Sequence, residues 1–91
     1  MFGDWKEESM MTVTVKLFAW LADCAGTGSL ELALAPGSRA ADAKMALSVR
    51  FPEISPLLPY VKAAVNQDYQ HWDFALTDGD ELALIPPVSG G

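Results

Sequence analysis

Hydrophobic and polar positions alternate from Met11 to Trp20. Val13, Val15, Leu17 and Ala19 fall on one side, and Thr12, Thr14, Lys16 and Phe18 on the other. A period of two with β-branched residues predicts a strand. Leu21 to Gly28 breaks the alternation and reads as a turn or a single helical turn closed by Gly26 and Gly28. Leu30, Leu32 and Leu34 then alternate with Glu31 and Ala33. This predicts a second strand, paired with the first as an antiparallel hairpin across a long loop. Pro36-Gly37 ends that strand, and Ser38 is placed to cap a helix. Ala40, Ala43, Leu47 and Arg50/Phe51 recur at helical spacing, with Asp42 in the first turn, where the helix dipole favours a carboxylate. Pro52 stops the helix near Phe51.

Pro52 to Pro59 contains three prolines and reads as a connection. Val61, Ala63 and Val65 alternate with Lys62, Ala64 and Asn66, predicting a third strand. Asn66-Gln67-Asp68 is a turn, and Tyr69 to Asp73 a short edge strand. Leu76 to Asp80 is a turn in which Gly79 supplies a positive φ. Glu81 to Ile85 is the last strand, ended by Pro86-Pro87, which cannot donate to a ladder. The order is strand, strand, helix, strand, short strand, strand. It predicts an α+β fold with a mixed sheet packed against one main helix, which is the β-grasp arrangement of ubiquitin-like proteins. Residues 1–10 are expected to be a flexible leader and 11–91 one domain, with a mobile C-terminal tail over 86–91.

Composition narrows the function. The chain has 91 residues, enough for one domain, and 51% are hydrophobic, which suits a packed core. The formal charge of −6 argues against a phosphate backbone as partner and for a basic protein surface. The single cysteine, Cys24, forms neither an internal disulfide nor a zinc cluster. No apolar run is long enough for a membrane span, and Met1 to Ser9 has no signal-peptide core. A cytoplasmic protein with no membrane partner is the expectation.

Side chains offer little chemistry. His71 is the only histidine, without a second one or a cysteine cluster to complete a metal site. Cys24 has no histidine near it in sequence to activate it. Asp78-Gly79-Asp80 opens like a calcium loop but lacks the later ligands and the closing glutamate. A Gly-rich phosphate loop and a Gly-x-Ser-x-Gly elbow are absent. The chain lacks the parts of an enzyme that acts on its own, and no cofactor is expected to bind it.

The C-terminal segment is the strongest feature. Gly90 and Gly91 follow Ile85-Pro86-Pro87-Val88-Ser89. Glycine has no Cβ, so a Gly-Gly end can thread a channel too narrow for side chains. Val88 to Gly91 spans roughly 13–14 Å when extended. The two prolines aim this tail and limit the entropy lost when it docks. Val88 and Ile85, with Leu84 or Leu82, can form an apolar docking patch, although period-two alternation assigns about half of them to the core.

Three stretches resemble the small subunits of molybdopterin synthase, the MoaD-like proteins, which are relatives of the thiamine-pathway sulfur carrier and of ubiquitin. They are Val15-Lys16-Leu17-Phe18-Ala19, Ala64-Val65-Asn66-Gln67, and the run from Leu76 to Gly91. The likeness covers about residues 11–91, and the double proline favours the molybdopterin branch. The chain departs from the family pattern at Ala40 and Ala43, where larger aliphatics are common, and in Leu21-Ala22-Asp23-Cys24, where many members carry a basic residue.

The resemblance implies a cycle of charging and discharge. A ubiquitin-activating-type enzyme uses ATP to adenylate the Gly91 carboxylate. A persulfide sulfur donor converts the adenylate to a thiocarboxylate. The tail, Ile85 to Gly90 with Gly91 at its tip, then enters the large catalytic subunit, and the sulfur attacks cyclic pyranopterin monophosphate to build the molybdopterin dithiolene. The assembly implied is a heterotetramer of two small and two large subunits. Two alternatives use the same terminus differently, a protein modifier conjugated to lysines through Gly91 and a thiamine-pathway carrier, and a third is a binding module that acts through its sheet and does not need Gly91.

Overall fold

The computed structural model describes residues 10–87. The predicted leader, apart from Met10, and the tail residues Val88, Ser89, Gly90 and Gly91 lie outside the described residues. Strands β1 (Met11–Leu17), β2 (Ser29–Leu34), β3 (Lys62–Val65), β4 (Asp68–Gln70) and β5 (Glu81–Ile85) form one sheet in the order β2-β1-β5-β3-β4. β1 and β5 run parallel, and every other pairing is antiparallel. Helix α1 (Ala19–Ala25), helix α2 (Ala40–Arg50) and a 3₁₀ segment (Pro52–Tyr60) complete the β-grasp arrangement.

Alternation places the core. Val13, Val15 and Leu17 of β1, Leu32 and Leu34 of β2, Ala63 and Val65 of β3, and Leu82 and Leu84 of β5 are buried on one face. Ala40, Ala43 and Leu47 of α2 are fully buried with them, at the predicted helical spacing. Each fully buried leucine or valine contributes about 1.5–3 kcal/mol.

Four local expectations are corrected. The first strand does not run to Trp20. After the extended Phe18, Ala19 turns the chain with φ of 52° into α1, a helix of seven residues that buries Leu21 completely. Gly26, at φ of 77°, ends that helix in the left-handed conformation open to glycine without strain. Ser38 is not the helix cap. The cap position is Arg39, and the Asp42 carboxylate accepts its backbone N–H at 2.8 Å. The free N–H groups of Ala40 and Ala41 donate instead to the carbonyls of Phe74 and Trp72, at 2.9 and 2.7 Å. Tertiary partners thus do work that sequence alone assigned to a serine.

The third correction is the proline-rich connection, which is the 3₁₀ segment. Its tighter turns accommodate prolines that would break an α-helix, and it packs against both helices and buries Ile54 and Leu58 in the core. The fourth is the edge strand, which starts at Asp68 and ends at Gln70, because a two-residue turn suffices. Asn66 and Gln67 both take positive φ, at 51° and 75°, the signature of the mirror-image turn whose twist matches a hairpin.

One polar cluster locks the far end of the sheet. The Asp80 carboxylate accepts the Thr77 N–H at 2.8 Å, the Thr77 hydroxyl at 3.0 Å and the Asn66 side-chain amide at 3.0 Å. The Asn66 side-chain oxygen accepts the Glu81 N–H at 3.0 Å. Asp78 accepts the Thr12 N–H at 2.8 Å, so both acidic residues of the former calcium-loop candidate are spent on the backbone turn. Partial burial pushes the Asp80 carboxyl up, but the hydrogen bonds from Thr77 and Asn66 outweigh it and hold the group below its ordinary value of 3.8.

Asp80→Ala is expected to cost about 1 kcal/mol at neutral pH, the net worth of an exposed charged hydrogen-bond cluster. A lowered carboxyl contributes its stability above the unfolded-state value and loses it as pH falls through the folded one. The gap between wild type and variant therefore closes as pH drops below 3.8, in urea melts followed by Trp fluorescence.

Candidate functional site

The site is built around the C-terminal end of β5. Its parallel pairing with β1 sets Thr14 beside Glu81 and Leu17 beside Leu84, so both strands finish at the same end of the sheet. β3 runs the other way and sets Lys62 beside Ile85. Leu82 and Leu84 face the core and anchor the strand, whereas Ile85 is half-buried. Pro86 is half-buried and Pro87 exposed. Neither carries an N–H, so the ladder ends there and the chain leaves the sheet. Of the predicted site residues, the described ones are Ile85, Pro86 and Pro87. Val88, Ser89, Gly90 and Gly91 follow beyond them.

The outer face of the sheet surrounds this exit. Ala64 and Ala83 lie side by side in register and are shielded from solvent, although they face away from the core. Their small side chains form a flat floor. Around it stand Lys16, in register with Ala83, and Tyr69, in register with Ala64 and 68% exposed. Phe18, 47% exposed, extends the β1 register alongside Ile85. An open groove of about 680 Å³ between Val61–Ala63 and Tyr69–Trp72 adjoins the same face and shares Lys62 and Tyr69 with it.

Charge is divided along the sheet. Lys16 and Lys62 sit at the end where the tail leaves, while Asp68, Asp78, Asp80 and Glu81 sit at the other end. A chain of net charge −6 thus presents a cationic, aromatic rim at its exit. Phe18 and Tyr69 are the residues that inspection of the tail overlooked. Phe18 falls on the polar side of the first alternation, with Thr12, Thr14 and Lys16, and an aromatic in a solvent-facing register is a legible sign of a contact surface.

The remaining chemical candidates stay apart. His71 is exposed on the loop after β4, and Cys24 is half-buried in α1. Among the described residues, no cluster of histidine, cysteine, aspartate or glutamate can hold a metal ion. Nor is any helix among them long and apolar enough to cross a membrane.

Comparison with known proteins agrees with that geometry. The model of the ThiS family matches residues 15–91. The molybdopterin synthase sulfur carrier subunit of Arabidopsis thaliana is 32% identical over 93% of this chain and 88% of its own length. The crystal structure of small archaeal modifier protein 1 from Haloferax volcanii superposes with a TM-score of 0.79 at 32% identity, covering 88% of this chain and 99% of that one. A complex of subunits 1 and 2 of the Helicobacter pylori molybdopterin-converting factor contains a chain of the same fold, with a TM-score of 0.62 at 22% identity over 89% of this chain and 100% of that one.

Phe18→Ser and Tyr69→Ser are expected to change folding stability by less than about 0.5 kcal/mol, as exposed positions do. Leu84→Ala, two strands away from Tyr69 but fully buried, is expected to cost about 2–5 kcal/mol. Denaturant titration of the three variants checks the contrast.

Proposed function

This chain belongs to the ThiS family, and we propose that within it the chain is the sulfur carrier subunit of a molybdopterin synthase, with the Gly91 carboxylate as the group that bears the sulfur. The observation that carries the reading is the likeness to molybdopterin synthase sulfur carrier subunits along nearly the whole chain. Support comes from the geometry, in which β5 is anchored by Leu82 and Leu84 and releases its end through Pro86-Pro87.

The chemistry follows from what a carboxylate cannot do. Its carbon is a poor electrophile, so an activating enzyme spends ATP to form an acyl-adenylate on Gly91 and releases pyrophosphate. The terminal sulfur of a persulfide donor displaces AMP, and a thiol cleaves the resulting S–S bond to leave a thiocarboxylate. The charged tail of Gly90, Ser89 and Val88 enters the large subunit, where basic groups stabilise the negative charge. Acid–base residues belong to that subunit, and this chain contributes no catalytic side chain of its own. No cofactor need bind here, because the ATP is held by the activating enzyme.

The outer face is the natural seat for both partners. Phe18, Ile85 and Tyr69 over the Ala64–Ala83 floor supply an aromatic and aliphatic centre, and Lys16 and Lys62 a polar rim, the usual anatomy of a protein interface. A second reading draws on the likeness to the Haloferax modifier protein: the same activated Gly91 can be passed to a lysine amine.

Mass spectrometry of the chain produced with its activating enzyme and sulfur donor is expected to show one oxygen of the terminal carboxylate replaced by sulfur. Conjugate ladders lost on deleting Gly90-Gly91, with no such replacement, would favour the modifier reading instead. Gly90→Trp is expected to abolish sulfur transfer with the thermal midpoint nearly unchanged. Tyr69→Asp is expected to weaken binding to the large subunit about tenfold or more by calorimetry.

A further inference from the structure

The strand order leaves β2 at one edge of the sheet. In an antiparallel ladder, alternate residues direct their N–H and C=O to one neighbour and the residues between direct theirs the other way. The Leu17 N–H bonds the Gly28 carbonyl, and the Thr14 N–H bonds the Asp80 carbonyl, both at 3.0 Å. Val13, Val15 and Leu17 therefore address β2, and Leu30 and Leu32 answer Val15 and Val13. Ser29, Glu31 and Ala33 direct their backbone groups outward from the sheet.

That outward edge is closed at both ends. The Thr27 hydroxyl donates to the Ser29 carbonyl at 2.8 Å and accepts the Ser29 N–H at 3.3 Å. The Ala35 carbonyl accepts the Ser38 N–H at 3.1 Å. Between these stops, Glu31 and Ala33 are exposed, and their outward N–H and C=O groups have no partner among the described residues. β2 holds no proline, no lysine and no bulge, and Glu31 is its one charged residue. The opposite edge, β4, has only three residues.

We propose that this window pairs with the same window of a second copy, joining the two sheets edge to edge about a two-fold axis at Leu32. The register is selected by the chain itself. With Glu31 opposite Ala33 of the second copy, each N–H meets a free C=O, and the symmetry repeats the pair. Centring on Glu31 would oppose two like charges, which is unfavourable. Centring on Ala33 would bring Glu31 against Ala35, whose carbonyl is already bonded. In the selected register Leu32 meets its own mate on the inner face, with Leu30 beside Leu34. β5, β3 and β4 lie on the far side of β1, so the dimer leaves the tail exit and Tyr69 uncovered. A contact this small gives a weak, concentration-dependent dimer.

Sedimentation velocity of the full chain from about 10 μM to about 1 mM tests this. The expected result is a monomer–dimer equilibrium that Ala33→Lys tightens and Ala33→Glu weakens, each by roughly fivefold, because position 33 faces Glu31 twice in the dimer. Combining Glu31→Lys with Ala33→Glu restores opposite charges and is expected to restore the dimer. Amide exchange at Glu31 and Ala33 should slow with concentration. A chain that stays monomeric throughout, or a dimer indifferent to both charges at position 33, overturns the proposal.

Discussion

The parallel pairing of β1 with β5 is the contact on which the rest of this molecule depends. It joins the first strand of the domain to the last, so it closes a loop of nearly the whole chain, and it forms only because both strands carry an uninterrupted inward row. Val13, Val15 and Leu17 on one and Leu82 and Leu84 on the other bury together against α2. The entropy of closing so long a loop is offset by that burial and by the polar turn that holds its start, where Asp78 grips the Thr12 N–H and Asp80 gathers Thr77 and Asn66. Because β5 is central, flanked by β1 and β3, its direction is fixed by ladders on both sides.

That fixed direction carries the C-terminal end of β5 to one rim of the sheet. Pro86-Pro87 ends the ladder at the rim of the sheet, beside Lys62 and the end of β1. The same rim carries Phe18, Tyr69 and Ile85 around a floor of two alanines. What the described residues place there is an aromatic and cationic rim around the end of β5, with Asp68, Asp78, Asp80 and Glu81 at the opposite end of the sheet.

Legibility in the sequence was uneven for physical reasons. A strand with clean alternation, such as Met11–Leu17, was readable because one face is buried and the other is not. Ala64 and Ala83 were not, since a residue on the outer face can be shielded by its sheet neighbours without joining the core. The 3₁₀ segment was hidden by its prolines, which mark a loop as readily as a tight helix. Its identity depends on Ile54 and Leu58 finding a cavity to fill. The helix start was misassigned to Ser38 because the groups that satisfy Ala40 and Ala41 come from Phe74 and Trp72, more than thirty positions later in the chain.

By itself the sequence determined the order of the five strands and the main helix, the inward rows of the strands and of α2, and the terminal Pro-Pro and Gly-Gly pattern, since each depends on local periodicity or on the conformational freedom of single residues. Beyond the β1–β2 hairpin, tertiary structure decided which strands became neighbours, and with that the gathering of Phe18, Tyr69, Lys16 and Lys62 at the exit and the position of Glu31 and Ala33 on an edge with no partner among the described residues. These residues are far apart in the chain, and nothing in their local pattern records their proximity. It arises from long-range burial and hydrogen bonding, which couple positions that local preferences cannot connect.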